Sequence, residues 1–218
     1  LYIRGQSQDY NYWRQLGNVG WSWEDVLPYF MKSEDNQRGT NEFHGVGGPL
    51  SVEDMRVKMK VLDTFIDAAE EFGFPRQSDF NTGENEGIGY FQVTQRNGFR
   101  CSTAVGYLNP IKNRKNLNII TKAHVKNIEF ENNKAVAVNY WLNNQLIKIK
   151  ANIEIILSAG SIGSPHILQA SGIGPGELLK KNNVEVIKDQ SAVGQNLQDH
   201  LMLRPVYKIK NLDTLNEV

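Results

Sequence analysis

Residues 153–170 constrain the fold of this chain more than any other segment. Residues 153–157, IEIIL, are almost wholly apolar, as in a strand that is buried on both faces. Three small residues follow at once, and Ser164 and Pro165 are residue types that begin helices, as the cap and the first helical residue. The segment therefore predicts a buried strand, a tight turn and a helix that begins near Ser164.

A strand–turn–helix unit of this kind is able to hold a ligand. Small residues let another molecule approach the backbone, and the first turn of the helix offers free N–H groups and the positive end of its dipole. In α/β folds, nucleotides bind at this position. The alternative is that Ala159 and Gly160 only permit a close crossing of strand and helix. Both interpretations stay open on the residues alone.

The rest of the pattern predicts helices in the first half and strands in the second. Ser22 with Asp25 resembles a capping box, Pro28 allows a kink in the helix that follows, and Asn97-Gly98 indicates a hairpin. The predicted helices are 7–16, 23–33, 57–72, 100–108 and a short one from Pro175. The predicted strands are 49–52, 88–95, 117–121, 125–131, 135–141, 146–150 and 184–187, of which 117–150 form a β-meander with Asn-Asn turns. The aromatic core candidates are Trp13, Trp21, Trp23 and Tyr29, with an aromatic ligand platform as the alternative.

Composition excludes several classes of function. The chain has 218 residues, and 24 basic residues balance 24 acidic ones, so nothing favours a nucleic-acid partner. No apolar run reaches the roughly 20 residues that a transmembrane helix needs. Cys101 is the single cysteine and cannot form an internal disulfide, which is typical of a reducing compartment without proving one. The chain opens at Leu1 without a polar lead-in and ends without a stop signal, so we expect a piece of a longer protein; a processed mature protein is the alternative.

Motifs for catalysis or for metal binding are few. The histidines lack metal-ligand spacing, and each is more often structural than catalytic; they are His44, His124, His166 and His200. His44 lies in a Gly-rich turn and is predicted as a turn or packing residue. Cys101 is predicted as a buried small residue, although Arg100 beside it is able to lower a thiol pKa. No serine has Gly-x-Ser-x-Gly spacing, and neither a Gly-x-Gly-x-x-Gly fingerprint nor a Walker A loop occurs.

Residues 160–174, GSIGSPHILQASGIG, resemble the second signature of the glucose–methanol–choline (GMC) oxidoreductases, and every patterned position fits. Further stretches resemble the family and follow its order, namely YIRG at 2–5, DYNYW at 9–13, GNVGWSW at 17–23, DVLPYF at 25–30, HG with GGPL at 44–50, NG with Arg100, Ser102 and Ala104, and VGQNLQDH at 193–200. The first third is most similar to the insect branch, which includes glucose dehydrogenase-like members.

The resemblance implies an α+β / α/β fold in which an incomplete, Rossmann-like FAD-binding domain is interleaved with part of an antiparallel-sheet substrate domain. It assigns residues 1–48 to a helical, aromatic border of the FAD domain, 49–110 to the substrate domain, 111–195 to the FAD domain and 196–218 to a return towards the substrate domain. It implies an FAD enzyme that oxidises CH–OH to C=O by hydride transfer to the flavin. The cofactor contacts that it assigns are Val125, through its backbone beside the adenine, together with Ala159 and Gly160.

Departures from the family pattern limit what these residues are expected to do alone. The phosphate-binding Gly-x-Gly-x-x-Gly turn, the acidic residue for the adenosine ribose and the catalytic His pair are absent, and His200 matches the Gln-Asp-His motif instead. We therefore expect the 218-residue chain neither to retain FAD nor to turn over. We also expect poor independent folding, because the strand at 153–157 lacks parallel neighbours.

The partners that the resemblance implies are a small alcohol or sugar as substrate and oxygen or a quinone as electron acceptor. Two alternatives come from other classes of protein: a catalytically inactive relative that serves as a binding or secreted structural protein, and a complete small α+β binding module. The residues do not determine the cellular compartment, and secretion is one of the alternatives.

Overall fold

The computed structural model describes residues 1–210, which form two compact units. Unit 1 contains Leu1–Leu117 and the described residues from Val206 onward, and unit 2 is Asn118–Pro205. The chain is a mixture of helices and small sheets, as the predicted α+β / α/β class requires. The predicted last segment, 196–218, extends into residues 211–218, which lie outside the described residues. Within residues 1–210, no helix is both long enough and apolar enough to cross a membrane.

Unit 1 contains three α-helices, and the sequence signals place two of them closely. They are α1 (Ser7–Gln15), α2 (Trp23–Ser33) and α3 (Lys60–Glu71). The capping box that opens α2 is confirmed, because Ser22 Oγ accepts from the amide of Asp25 while Asp25 Oδ2 accepts from the amide of Ser22. Pro28 lies within α2 without ending it. Helix α3 is shorter than the predicted 57–72, and the predicted helix at 100–108 is a single π-helical turn at Ala104–Leu108.

The prediction that the aromatic residues of this region form a core is wrong for three of the four. Trp13, Trp21 and Tyr29 are 44, 51 and 72% exposed. Helix α1 has no buried residue, and the rings of Trp13 and Trp21 lie edge to face, 5.9 Å apart. Trp13 and Trp21 therefore pack against each other at the surface of unit 1, and the hydrophobicity of a residue does not by itself show that it is buried.

The sheets of unit 1 are short. Strand β1 (Glu34–Asn36) pairs in parallel with β2 (Leu50–Val52), and β3 (Gln95–Arg96) pairs with β4 (Phe99–Arg100). The predicted hairpin is confirmed, with Asn97 at φ 52° and Gly98 at φ 85°. The predicted strand at 88–95 is wrong, because residues 88–93 make only isolated bridges to three different segments. A run of strand-forming residues does not become a strand without one continuous partner.

Unit 2 is built on the predicted β-meander. Strands β5 (His124–Glu131), β6 (Lys134–Leu142) and β7 (Gln145–Lys150) form an antiparallel sheet in that order. Both turns are Asn-Asn pairs with positive φ angles, and the structure confirms the three strands predicted on either side of them. The predicted strand at 117–121 is wrong, since these residues form no strand.

The buried strand predicted at 153–157 is also wrong. These residues form no strand, and Ile153 and Ile156 are 85 and 79% exposed. No strand within residues 1–210 pairs with them. A strand that is buried on both faces depends on neighbours, and here the apolar run has none.

The helix after this segment begins earlier than predicted. Helix α4 is Gly160–Ala170, so Ser164 is not its cap and Pro165 lies in its second turn. Gly160 adopts φ +83°, which lets the chain turn into the helix directly after Ala159. Ser164 Oγ instead accepts a hydrogen bond of 3.0 Å from the amide of Ala159. The positive φ angle of Gly160 thus sets the start of α4, although Ser164 and Pro165 are the residue types that usually begin a helix.

The remainder of unit 2 folds against α4. Strand β8 (Ile173–Gly174) pairs in parallel with β9 (Lys188–Asp189), and α5 (Gly176–Lys181) lies between them in sequence. The short helix is where it was predicted. The strand predicted at 184–187 is wrong, because these residues form no strand and β9 begins only at Lys188. Gly172 follows the last turn of α4 with φ +87°, a conformation that glycine adopts without strain.

Candidate functional site

A pocket of about 280 Å³ lies between β5 and α4 in unit 2. It brings Val125 and Ala159, two of the three predicted site residues, into one lining. The residues that line it are Ala123, His124, Val125, Lys126, Ala159, Gly163, His166, Ile167 and Ala170. Most of these side chains are small or apolar and none is acidic, so the pocket suits an uncharged or anionic group better than a cation.

Gly160, the third predicted site residue, does not line this pocket. It begins α4, and a Cβ atom added to it would meet no other atom within 4 Å. The space beside Gly160, at the first turn of α4, is therefore open. The positive φ of Gly160 and this open approach together leave the amino end of the helix accessible to another molecule.

A β-bulge lies at the pocket, which the sequence did not indicate. In the pairing of β5 with β6, Val125 is opposite Tyr140 and Asn127 is opposite Asn139, so Lys126 has no opposite residue. Strand β5 is also an edge strand, with no strand on its other side within the described residues. Bulges commonly occur at sheet edges and beside binding sites, where they redirect the backbone and one side chain.

Ser171 joins the two elements that form the pocket. Its Oγ accepts from the amide of Ile128 on β5, at 2.8 Å, and donates to the carbonyl of Ile167 on α4. Ser171 and Ile128 are both buried. One hydroxyl thus satisfies a backbone amide at the open edge of the sheet and fixes the distance between β5 and α4.

We expect Ser171→Ala to lower the free energy of unfolding of unit 2 by about 1–3 kcal/mol, because the buried amide of Ile128 loses its acceptor. The change is measured by hydrogen exchange of the unit 2 amides, and the Ile128 amide should show the largest loss of protection. Ser158→Ala, at an exposed position, is the matched control and should leave exchange unchanged. Equal protection in the two variants would contradict this role for Ser171.

A second, wider pocket of about 510 Å³ lies on another face of α4. It is lined by α4 residues and by residues 194–198, and His166 belongs to both linings. Gln169 Nε2 donates to the carbonyl of Val193 at 3.0 Å and so holds the second wall against the helix. Helix α4 therefore carries two concave surfaces, one on either side of His166.

Two other candidate residues of the sequence, Cys101 and His200, lie away from these pockets. Cys101 is buried, as predicted, with its sulfur 3.9 Å from the carbonyl oxygen of Pro49. His200 is exposed, and Asp199 accepts from its backbone amide rather than from its ring. His124 and His166 both line the first pocket, although they lack any motif that would have singled them out.

His44 is buried within unit 1, in agreement with a packing role, but its surroundings were not predicted. Its Nδ1 lies 2.9 Å from Glu34 Oε1, and its Nε2 lies 2.7 Å from Asp79 Oδ2. Glu34 Oε1 is also 2.7 Å from the guanidinium of Arg4. We call Arg4, Glu34, His44 and Asp79 the buried ion chain. No sequence signal marks it, because its members come from four separate segments.

Comparison with known proteins relates most of the chain to one family. The model of the GMC oxidoreductase family matches residues 1–202. The oxygen-dependent choline dehydrogenase of Pectobacterium atrosepticum is 40% identical over 212 residues, which are 96% of this chain and 38% of that protein. The alcohol dehydrogenase (acceptor) of Pseudomonas putida is 39% identical over 204 residues, which are 92% of this chain and 37% of that protein.

A solved structure gives the same result. The FAD-dependent oxidoreductase from Chaetomium thermophilum superposes with a TM-score of 0.84 and 33% identity, over 91% of this chain and 37% of that one. The chain spans less than two fifths of the length of these relatives. The motif order, the fold and these similarities agree, and the chain belongs to the GMC oxidoreductase family.

Proposed function

We propose that this chain is part of an FAD-dependent oxidoreductase that oxidises the CH–OH group of a small alcohol or sugar. One observation carries the proposal: in a chain of the GMC family, Val125 and Ala159 line one pocket beside the start of α4. Relatives named as choline dehydrogenase and alcohol dehydrogenase support an alcohol as the substrate class.

The residues of the pocket fit the adenosine end of FAD. The lining is small and apolar, it contains no carboxylate that would repel a phosphate, and the bulge at Lys126 opens the backbone of β5. The free space before Gly160 lets a ligand approach the positive end of the α4 dipole. Val125 and Ala159 would border the adenine, and Gly160 would keep the amino end of the helix open.

When bound, FAD supplies the hydride acceptor for the oxidation. The residues of this chain contribute to its binding and orientation, because none of the four histidines matches the catalytic His pair of the family. The expected domain division also belongs to this proposal: 49–110 on the substrate side, 111–195 on the FAD side, and 1–48 and 196–218 at their borders. A sugar substrate and an insect glucose-dehydrogenase-like parent rest on the motifs of residues 1–30 alone, and oxygen and a quinone remain the two proposed acceptors.

The proposal is tested by titrating the 218-residue chain with ADP, the adenosine end of FAD, while backbone amide shifts are followed by NMR. We expect shifts confined to residues 123–126 and 159–170. Ala159→Leu should abolish them by filling the pocket, and Ala192→Leu, at an exposed position of unit 2, should not. Shifts that survive Ala159→Leu, or that map elsewhere, would contradict the placement of the adenosine.

Retention of the whole cofactor is a separate prediction. We expect the 218-residue chain to lose added FAD during gel filtration, because it has no Gly-x-Gly-x-x-Gly turn for the pyrophosphate. The flavin absorbance of the eluted protein measures this. Stoichiometric retention would show that these residues alone anchor the cofactor.

A further inference from the structure

The buried ion chain of unit 1 connects four segments that are distant in sequence. Arg4 belongs to the N-terminal segment, Glu34 to β1, His44 to a Gly-rich turn and Asp79 to the polar loop before β3. The side chains of the first three are 1, 0 and 0% exposed, and that of Asp79 is 17% exposed. Four ionisable groups in such an environment need one another as partners.

The geometry defines the protonation state of His44. Both ring nitrogens face carboxylate oxygens, at 2.9 Å and 2.7 Å, so both must donate and the imidazole is a cation. In the competing state the ring is neutral, and Nδ1 accepts from Asn36 Nδ2 at 2.9 Å. That state would set the lone pair of Nδ1 against Glu34 Oε1 at 2.9 Å, which two acceptors do not tolerate.

The charge of His44 also balances the cluster. With the ring protonated, Arg4 and His44 oppose Glu34 and Asp79, two positive charges against two negative ones. If the ring loses its proton, one carboxylate remains buried without a cation. Two further groups face the chain: the hydroxyl of Tyr2, which accepts from Arg4 Nε at 3.2 Å, and Arg38, which donates to the carbonyl of Ser78 at 2.7 Å.

Asp79 connects the buried ion chain to the loop at 78–87 through hydrogen bonds. Asp79 Oδ1 accepts from the amide of Asn81, and Asn81 Oδ1 accepts in turn from the amide of Arg4, both at 2.9 Å. Asn85 Nδ2 donates to the carbonyl of Arg4 at 3.2 Å. The loop at 78–87 is therefore attached to the N-terminal segment at one end of the ion chain and to His44 through Asp79 at the other.

We propose that the buried ion chain is a charge-dependent latch, which holds the loop at 78–87 against the N-terminal segment only while His44 is protonated. Loss of the proton removes the cation between Glu34 and Asp79, and Asp79 then gains more from water than from the interior. The loop carries Asp79 outward and exposes the amides that it protects. This device is independent of the cofactor proposal.

The pKa values of the groups agree with the geometry. Burial alone would lower the pKa of His44, but its hydrogen bonds to Asp79 and Glu34 raise it to about 9. Burial also opposes ionisation of Glu34 and Asp79, and their hydrogen bonds to His44 and to backbone amides nevertheless hold both pKa values below the usual range. Burial raises the pKa of Tyr2 to about 12, so this hydroxyl does not titrate together with His44.

The sign of the pH dependence follows from these directions. His44 binds its proton more tightly in the folded chain than in the unfolded one, so its contribution is complete below the ordinary pKa of 6.5 and is lost as pH rises towards 9. The two carboxylates act in the opposite sense, and their contribution is lost as pH falls below their ordinary range. The latch is therefore strongest between about pH 5 and 6.5.

The first test is an NMR titration of the ring of His44 in the 218-residue chain. We expect one ring to titrate near pH 9, and the His44→Gln spectrum assigns that resonance by its absence. Asp79→Asn, which removes one of the two carboxylates, should lower the midpoint while leaving Glu34 in place. A His44 ring that titrates at or below its ordinary value would overturn the proposal.

The second test measures opening of the latch through hydrogen exchange of the Arg4 amide, with protection factors corrected for the intrinsic effect of pH. Between pH 6.5 and pH 9 we expect protection to fall by up to about 300-fold, because the pKa of His44 rises from 6.5 to about 9 in the folded chain. This dependence should disappear in His44→Gln and persist in His200→Gln, which removes an exposed imidazole. If His44→Gln does not fold, Asp79→Asn serves in its place and should show a weaker pH dependence. Identical profiles in the wild type and in the variant used would overturn the proposal.

Discussion

Replacing Glu34 by glutamine is expected to lower the free energy of unfolding of unit 1 by about 3–5 kcal/mol. Glu34 is fully buried, and one of its carboxylate oxygens meets Arg4 at 2.7 Å, His44 at 2.9 Å and the amide of Gly45 at 2.9 Å. Glutamine keeps the shape of the side chain but not its charge. Two cations then remain buried with Asp79 as their only carboxylate, and an uncompensated buried charge is the expensive outcome.

Chemical denaturation of Glu34→Gln measures this loss of stability, and Glu177→Gln is the control variant. Glu177 also forms an ion pair, with Lys180 at 3.1 Å, but its side chain is 94% exposed, so its replacement should leave stability unchanged within error. A loss below about 1 kcal/mol for Glu34→Gln would mean that water or a shift of the backbone relieves the buried cations. The ion chain would then not be the main constraint on this part of unit 1.

The elements that the sequence predicted well are those with local causes. The capping box at Ser22, the Asn97-Gly98 hairpin and the Asn-Asn turns of the meander each depend on a few adjacent residues, and each is present. The strands predicted at 88–95 and 153–157 failed for one shared reason. A strand requires a partner along its whole length, and the hydrophobicity of a segment does not supply one.

The candidate site, too, has parts that local sequence predicts and parts that depend on distant residues. The resemblance to the family selected Val125 and Ala159, and the packing of α4 against β5 brings both to one pocket. The bulge at Lys126 depends on the register with β6, and the buried ion chain depends on side chains 10 and 35 residues from His44. Neither register nor contacts over such distances can be read from the local pattern.

The structure also separates packing from binding within the motif of residues 160–174. Ala159, just before the motif, lines the pocket, and Gly160, its first residue, begins α4 beside open space. Ser171 and Gly172, at its end, make contacts inside unit 2 instead: the hydroxyl of Ser171 meets β5, and the carbonyl of Gly172 accepts from the amides of Ile187 and Lys188. One continuous motif thus serves two purposes: residues between Gly163 and Ala170 line the proposed cofactor pocket, whereas Ser171 and Gly172 hold unit 2 together.

Gly172→Ala is therefore expected to destabilise unit 2 by about 3 kcal/mol, through two effects that add. The φ angle of +87° costs a residue with a Cβ atom about 1–2 kcal/mol. The new Cβ would also lie 2.5 Å from the carbonyl oxygen of Glu185 and 2.7 Å from Cγ1 of Ile187, and relieving such overlap costs about 1–3 kcal/mol.

The control for Gly172→Ala is Gly160→Ala, which isolates the first of the two effects. Gly160 has nearly the same φ angle, +83°, but its Cβ would meet no atom within 4 Å, so only the backbone cost of about 1–2 kcal/mol applies.

Hydrogen exchange of the Ile187 and Lys188 amides measures both variants, since these amides donate to the carbonyl of Gly172. We expect a larger loss of protection in Gly172→Ala than in Gly160→Ala. Asparagine tolerates positive φ, so comparing asparagine with alanine at each position separates the backbone cost from the overlap. Because the overlap at Gly172 involves backbone, asparagine should recover stability only at Gly160, and equal losses in the two alanine variants would show that residues 185–187 move aside without cost.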